Sequence, residues 1–532
     1  MPYNRSFVSS STGLQYLCVL IVFMTGASNS AKILFISPNL SNSMILYTGR
    51  MADVLVRAGH NTFFIPDVNS RNRLNGTKLA KVVRMKGLGK SFEEHMNVQG
   101  DLFDLPSPTI WTRRAEMSAF IKICEEILKR RNELEWLRIE KFDLAFADNL
   151  DLCDIGLIRL LDIPVYAWTT TGAIHDITAL TVGIPPEASY TPVIWDNFFG
   201  PVMSFWQRVI NLFRLYTDRI LTYELNYKIT RLFRRYVRSE FPEAWTVAGE
   251  SSLLFVNGDE FLNPSRPVPS KVINIGGVGL TKAQPLNQKF VQMTSKGEKG
   301  YVLFSLGTAA STIAVSAHKK RLLVEAFAHF PDYHFIVKAD NDDIVFRNLT
   351  YQTSNVDIVS WFPQNSLLAN AQLFITHGGY NGILESGAIN GCPMLVLPLF
   401  FDQHFNAKIV EYREIGRALE PQKLSVDLLK KEIATLLRDP KYKLNAQRIQ
   451  TLFKTKPNQP DETLVKWTNF LLANGVLKEL RPELLSQTWI TYNHLDIVAI
   501  ILFTTAILLF TTQYAFQSLN KSTIKTTSKP KL

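Results

Sequence analysis

At 532 residues, with 46% apolar side chains, the chain is too long for one ordinary domain and can fill two hydrophobic cores. Its 58 Lys and Arg exceed its 47 Asp and Glu by 11, yet no interior stretch interleaves cations with aromatics in a nucleic-acid motif, so nucleic acid is excluded as a partner. Of the four cysteines, Cys18 lies in a segment expected to be removed. Cys124, Cys153 and Cys392 have neither disulfide-framework nor metal spacing and are expected as buried thiols, one pair of which could bridge in an oxidising compartment.

Residues 1–30 carry Arg5, an apolar run and then Gly26, Ala27 and Ser28, the layout of a secretory signal peptide. Residues 32–37 read as a buried parallel strand, 46–58 as a helix ended by Gly59, and 62–65 as a second strand. That βαβ unit opens a Rossmann-like domain extending to about residue 277. A further apolar strand, 142–147, ends at Asp148, where strand ends meet ligands. Val202, Phe205, Trp206, Val209, Leu212, Tyr216 and Ile220 recur at helical spacing, opposite Arg208, Asn211, Arg214 and Arg219. Two packings are open for this helix: against its own domain, or as a lid over a lipophilic pocket lying on a membrane surface.

The proline cluster at 263–269 and the glycines at 275–279 mark a linker. A second Rossmann-like domain, 278–455, begins with the strand 301–305, whose turn offers Gly307 and Thr308 to a phosphate. Another strand ends in Lys338. Segments 456–494 follow, then an uncharged stretch, 497–516, of membrane-spanning length within a predicted helix over 495–517. Its threonines can return hydroxyls to the helix backbone. The tail, 518–532, holds Lys521, Lys525, Lys529 and Lys531, which places it in the cytosol and the body in the lumen. Glycosylation sequons at Asn39, Asn75 and Asn348 agree with that orientation.

Residues 361–403 concentrate the chemistry. An apolar strand ends at His377, and Gly378 and Gly379 let the chain turn into a helix, so free N–H groups stand beside an imidazole in a corner suited to a diphosphate. Asn381 and Glu385 share one helix face, the first near the phosphates and the second able to accept from ribose hydroxyls. Trp361 offers a stacking face, and Asp402 and Gln403 deliver a carboxylate and an amide to the same strand-end crevice.

In this order, these residues closely resemble the signature of the membrane-bound UDP-glycosyltransferase (UDP-glucuronosyltransferase) family. The resemblance spans nearly the whole mature chain. It implies an α/β fold of two Rossmann-like domains facing across a cleft, the GT-B architecture, with a C-terminal single-pass anchor. It also implies inverting transfer of a sugar from UDP-glucuronate or UDP-glucose to lipophilic small molecules. Residue by residue, it implies uracil stacking on Trp361 beside Gln364, diphosphate contacts from His377 and Asn381, ribose from Glu385, and donor sugar from Asp402 and Gln403. Segments 456–494 are then expected to cross back onto the first domain. No cofactor or metal is expected; UDP-sugar is the co-substrate, and His377 with the helix dipole supplies the positive field. The lysine tail resembles a retrieval signal for the endoplasmic reticulum, with the plasma membrane as the other location. Association with itself or with relatives is open.

The family's base is a histidine ahead of the first helix, oriented by an aspartate. Asp148 matches the aspartate, but the histidine's position holds Met44, whose thioether cannot accept a proton. Either Asp148 acts as base, or acceptors such as amines need none, or the chain is a binding subunit without useful turnover. His60 follows Gly59 and should lie at the sheet's far edge.

Overall fold

The structure, a computed structural model, describes residues 30–37, 42–61, 63–66, 74–88, 100–106, 109–195, 198–280, 283–308, 310–351 and 353–527. The expected signal peptide, Asn39, Lys529 and Lys531 lie outside these residues. The chain divides into two units, Met1–Leu480 and Arg481–Leu532.

In the first unit, β1 (Ile33–Ile36) leads into α1 (Asn42–Arg57), β2 (Phe63–Pro66) and β3 (Val82–Met85). After α2 (Ile110–Lys129) come β4 (Leu144–Asp148), α3 (Cys153–Leu160), β5 (Tyr166–Thr170) and α4 (Asp176–Val182). The long α5 (Phe205–Tyr236) precedes β6 (Leu253–Val256) and β7 (Val272–Asn274). Helix-length segments between strands return the chain to the same sheet edge, so neighbours pair in parallel, in the order β3-β2-β1-β4-β5-β6-β7.

A second parallel sheet follows, with β8 (Tyr301–Ser305), β9 (His334–Lys338), β10 (Val356–Val359) and β11 (Leu373–Thr376). Then come α6 (Tyr380–Ile383), β12 (Met394–Val396), α7 (Gln403–Tyr412) and β13 (Gly416–Ala418), giving the order β10-β9-β8-β11-β12-β13. Helices α8 (Pro440–Thr455) and α9 (Pro460–Asn474) close the unit.

The inner strands β1, β4, β5, β6, β8, β11 and β12 are covered on both faces, which is why their runs are apolar without alternation. In β1, Ile33 and Phe35 pack with Ile45 and Met51 of α1 and with Leu464 and Leu471 of α9, while Leu34 and Ile36 pack with Ile123 of α2 and Ile155 of α3. Burying such a side chain contributes about 1.5–3 kcal/mol, so charge is driven out of the strands to their ends. The last helix of the unit thereby rests on its first sheet.

One expectation changes at the start of the first unit. Helix α1 begins at Asn42, not near 46, because no glycine or proline interrupts 42–48 and Met44, Ile45, Tyr47 and Thr48 are buried along it. Met44 therefore sits in the first turn of the helix. His60 is buried, its Nδ1 3.3 Å from the Ala31 N–H and its Nε2 3.1 Å from Asn469 Oδ1, at the amino end of β1.

Two packings were open for α5, and its apolar stripe does not face the domain: Trp206 is 71% exposed, Phe205 61% and Ile220 58%. The packed face holds Asn211, Leu215, Asp218, Leu221, Leu225 and Ile229. Polar groups go inside because partners there require them. The Asn211 amide donates to the Ala188 and Thr191 carbonyls at 2.8 and 2.9 Å and accepts from the Val193 N–H at 2.9 Å, and Asp218 pairs with Arg113.

In the second unit, α10 (Leu495–Thr527) contains a 26-residue stretch, Leu495–Asn520, long and apolar enough to cross a membrane. Thr505 Oγ1 donates to the Ile501 carbonyl at 2.7 Å and Thr512 Oγ1 to that of Leu508 at 2.8 Å, so the hydroxyls are satisfied within the helix.

Cys124 and Cys153 are not thiols: they form a disulfide between α2 and α3, whereas Cys392 is free and buried. Their sequence separation of 29 makes the bond worth about 3–4 kcal/mol through loop closure. Reduction, or Cys124→Ser, should lower the melting temperature of the purified chain by about 4 °C in scanning calorimetry.

Candidate active site

In an open parallel sheet, polar side chains collect at the carboxyl edge where the strand order reverses. The reversal falls between β1 and β4 in one sheet and between β8 and β11 in the other, and both edges open on a single cleft of 420 Å³. Met44 and Asp148 line it from the first sheet's side. Gly307, Thr308, Trp361, Gln364, His377, Gly379, Asn381, Glu385, Asp402 and Gln403 line it from the second. Gly378 does not. With φ at 86° and a would-be Cβ 2.6 Å from Val396 Cγ1, it shapes the turn from behind.

His377 is boxed by two glycines. A Cβ on Gly307 would stand 2.4 Å from its Cε1, and one on Gly379 2.6 Å from its Nε2. Burial, and then the neighbouring Lys338 charge, pull the imidazole down to about 4, so it is neutral at pH 7. The expected positive field therefore does not come from His377. Lys338 is one source: its Nζ donates to the Gly307 carbonyl at 2.7 Å and lies 4.8 Å from the Trp361 ring centre. Burial pulls Lys338 down to about 8, which still leaves it charged at pH 7. Arg50 of α1 is the other, its Nε donating to the Val278 carbonyl at 3.1 Å.

Glu385 lies where α6 widens into a π-helical turn, Leu384–Ile389, the Asn390 N–H reaching back five residues to its carbonyl at 3.1 Å. Gln364 Nε2 donates to its Oε2 at 2.8 Å and fixes the carboxylate plane. Burial raises its pKa, against the pull of Arg50 and Gln364. Gln403 Oε1 accepts from the Leu399 and Phe400 N–H groups at 2.8 and 3.2 Å, which turns its NH₂ end away from that loop. Asp402 Oδ2 accepts from Asn406 Nδ2 at 2.8 Å, and burial pushes Asp402 up to about 6. Phe401, just before Asp402, has φ of 55°, a left-handed conformation costing about 1–2 kcal/mol that sets the corner from which Asp402 starts α7.

Across the cleft, Asp148 is 2% exposed, its Oδ1 accepting from the Leu150 N–H at 2.9 Å and its Oδ2 from Thr171 Oγ1 at 3.2 Å. Burial outweighs these bonds and raises its pKa to about 7. The rest of this wall is largely apolar, with Leu46, Phe120, Leu150, His175 and Trp195 beside Phe400 and Phe401. Trp195 meets Phe401 edge-on at 5.2 Å.

Comparison with known proteins decides the family. The sequence model described as UDP-glucoronosyl and UDP-glucosyl transferase matches residues 49–530. The chain belongs to this family of glycosyltransferases.

A Caenorhabditis elegans relative named UDP-glucuronosyltransferase ugt-48 is 34% identical over 493 residues, covering 88% of this chain and 91% of the relative. Human UDP-glucuronosyltransferase 3A1 is 27% identical over 514 residues, covering 92% and 94%. Among solved structures, the glycosyltransferase of kitacinnamycin superposes with a TM-score of 0.57 at 18% identity, over 85% of this chain and 100% of that one. CalG4, the calicheamicin glycosyltransferase, gives 0.54 at 18%, over 84% and 100%. The fold is that of these GT-B enzymes.

Arg50, Asn149, Thr171, His175, Trp195 and Lys338 line the cleft without having been singled out as site residues from sequence. Lys338 carried a usable signal, since it ends a parallel strand. Arg50 carried none, because only domain packing brings α1 to the second sheet's edge. Gly307→Ala should push the His377 ring out of its slot and weaken UDP binding at least about tenfold, readable by calorimetry.

Proposed function

We propose that the chain is an inverting transferase that moves a glucuronosyl or glucosyl group from a UDP-sugar to lipophilic small molecules, with Asp148 as the proton acceptor in place of the histidine whose position Met44 fills. The observation that carries this reading is a buried carboxylate, its pKa raised to about 7, facing across one cleft the residues that the family signature assigns to the donor. A general base works best when its pKa lies near the working pH.

In this mechanism Trp361 stacks the uracil beside Gln364, and Glu385 accepts from the ribose hydroxyls. Asn381, His377 and the backbone at Gly307, Thr308 and Gly379 hold the diphosphate, while Lys338 and Arg50 balance its charge. Asp402 and Gln403 bind the donor sugar. The acceptor oxygen attacks the anomeric carbon from the face opposite UDP. The bond from that carbon to the β-phosphate oxygen breaks with its electron pair leaving on UDP, and the acceptor proton passes to Asp148. An amine attacks through a lone pair already free and depends less on the base.

A second reading, a UDP-sugar-binding partner subunit with little turnover, is favoured by Met44, 8% exposed in the cleft wall and unable to take a proton. For location, we propose residence in the endoplasmic reticulum membrane with the body in the lumen. The Cys124–Cys153 disulfide suits an oxidising compartment, α10 suits a span, and the outward Phe205, Trp206, Phe213 and Ile220 of α5, with Arg208, Arg214 and Arg219 on the same helix, suit contact with a lipid surface.

Asp148 acts as base only when deprotonated, so kcat/KM for phenols should fall as pH drops below about 7 and level off above it. Asp148→Asn should erase that limb and cost about 10²–10⁴-fold, whereas Met44→His should raise phenol turnover at least about tenfold. If UDP binds but neither wild type nor Met44→His releases it from either donor, the partner-subunit reading stands instead. In nanodiscs, brominated lipids should quench part of the tryptophan fluorescence of the full chain, and Trp206→Phe should remove that part.

A further inference from the structure

The donor-site amide Asn381 is held from the other domain, by a chain of hydrogen bonds whose directions leave no choice. The Gly277 N–H, which can only donate, points at Asn257 Oδ1 at 3.4 Å. Asn257 Nδ2 donates to the Thr171 carbonyl, which can only accept, at 2.7 Å. These two partners fix the Asn257 amide, fully buried just beyond β6, with its NH₂ end toward the second domain. That end also donates to Asn381 Oδ1 at 2.9 Å. The guanidinium of Arg50, a donor in any state, reaches the same oxygen through Nη2 at 3.4 Å. With two donors on its oxygen, Asn381 must turn its own NH₂ group the other way. Asn381 lines the cleft at the corner that holds His377 and Gly379.

We propose that Asn257 and Arg50 are positioning residues for the donor diphosphate, orienting the Asn381 amide so that it presents N–H rather than oxygen to the phosphates. The inference rests on the donor-site reading above and deepens it. Neither residue needs to touch the nucleotide. Asn257 acts through Asn381, and Arg50 does so while lying close enough to Glu385 for its charge to lower that carboxyl's pKa. Because Arg50, Thr171, Asn257 and Gly277 all precede the second sheet while Asn381 follows β11, the amide is set only when the two domains are packed together. Diphosphate affinity is thus coupled to domain packing through one side chain.

The test measures binding of UDP and of uridine to the full-length chain in nanodiscs, by calorimetry and competition. Asn257→Asp keeps the shape but replaces the donor by an acceptor, so Asn381 should flip its oxygen toward the phosphates. UDP binding should weaken by about 10–100-fold, with uridine binding unchanged. Arg50→Met, at a part-buried position, should weaken UDP by about three- to tenfold, again sparing uridine, and serves if the Asn257 variant fails to fold. In an Asn381→Ala background Asn257→Asp should cost nothing further, and Arg50→Met only the part its charge contributes at the diphosphate. Equal losses for UDP and uridine, or Asn257→Asp and Arg50→Met losses undiminished in the Asn381→Ala background, overturn the proposal while leaving the donor site intact. A wild-type chain that binds no UDP overturns the donor-site reading and this inference together.

Discussion

The inner strands of both sheets are buried on both faces, and that constraint decides where polar chemistry can stand. With Leu144, Ala145, Phe146 and Ala147 all 0% exposed, β4 offers no place for a carboxylate until its last residue, Asp148. The same rule puts Ser305 at the end of β8, Lys338 at the end of β9 and His377 just past β11. Two sheets built this way have two reactive edges, and a single cleft results because the chain stacks those edges face to face. Helix α9, coming after the second sheet yet packed through Leu464 and Leu471 into the first sheet's core, fastens the two halves.

Desolvation then sets the charge states in the cleft more than pairing does. Burial is the largest influence on Asp148, His377, Lys338, Glu385 and Asp402. It neutralises the imidazole but leaves the lysine and the guanidinium charged, so the positive potential comes from side chains that flank the turn at Gly378 rather than from the histidine before it. A neutral His377 can still donate one N–H, and its slot between Gly307 and Gly379 fixes the ring. Geometry, not charge, is the contribution of that residue.

What was legible in the sequence follows from chain distance. The second-sheet half of the cleft was readable because most of its polar groups fall between Trp361 and Gln403, where turn glycines, strand composition and helical spacing reinforce one another. The two parallel sheets were readable from successive apolar runs separated by helix-length segments. Arg50, Asn257 and Trp195 were not, because they reach the site only through domain packing. Which cysteines bridge was not legible, because Cys124 and Cys153 sit in separate helices whose contact depends on how α2 and α3 cover β4 and β1. The orientation of α5 stayed open for a different reason: periodicity locates a stripe but not what the stripe faces, and Asn211 and Asp218 find their partners on the packed side.

On the proposed mechanism, the methionine at position 44 bears on Asp148 through the same electrostatics. A histidine at this place in the same cleft wall would, once protonated, favour the charged carboxylate and lower its pKa. A thioether offers no such charge, so burial acts on Asp148 with only the Leu150 N–H, the Thr171 hydroxyl and its own backbone neighbour opposing it, and Asp151 pushes the same way as burial. The carboxyl then titrates near neutrality, where a carboxylate is a far stronger base than at its ordinary value. On the proposed mechanism, the substitution that removes one base is also what leaves its former partner basic enough to serve. Acceptors whose hydroxyl is already acidic would be favoured over aliphatic alcohols, since a base of pKa about 7 has less driving force for removing a proton from the latter.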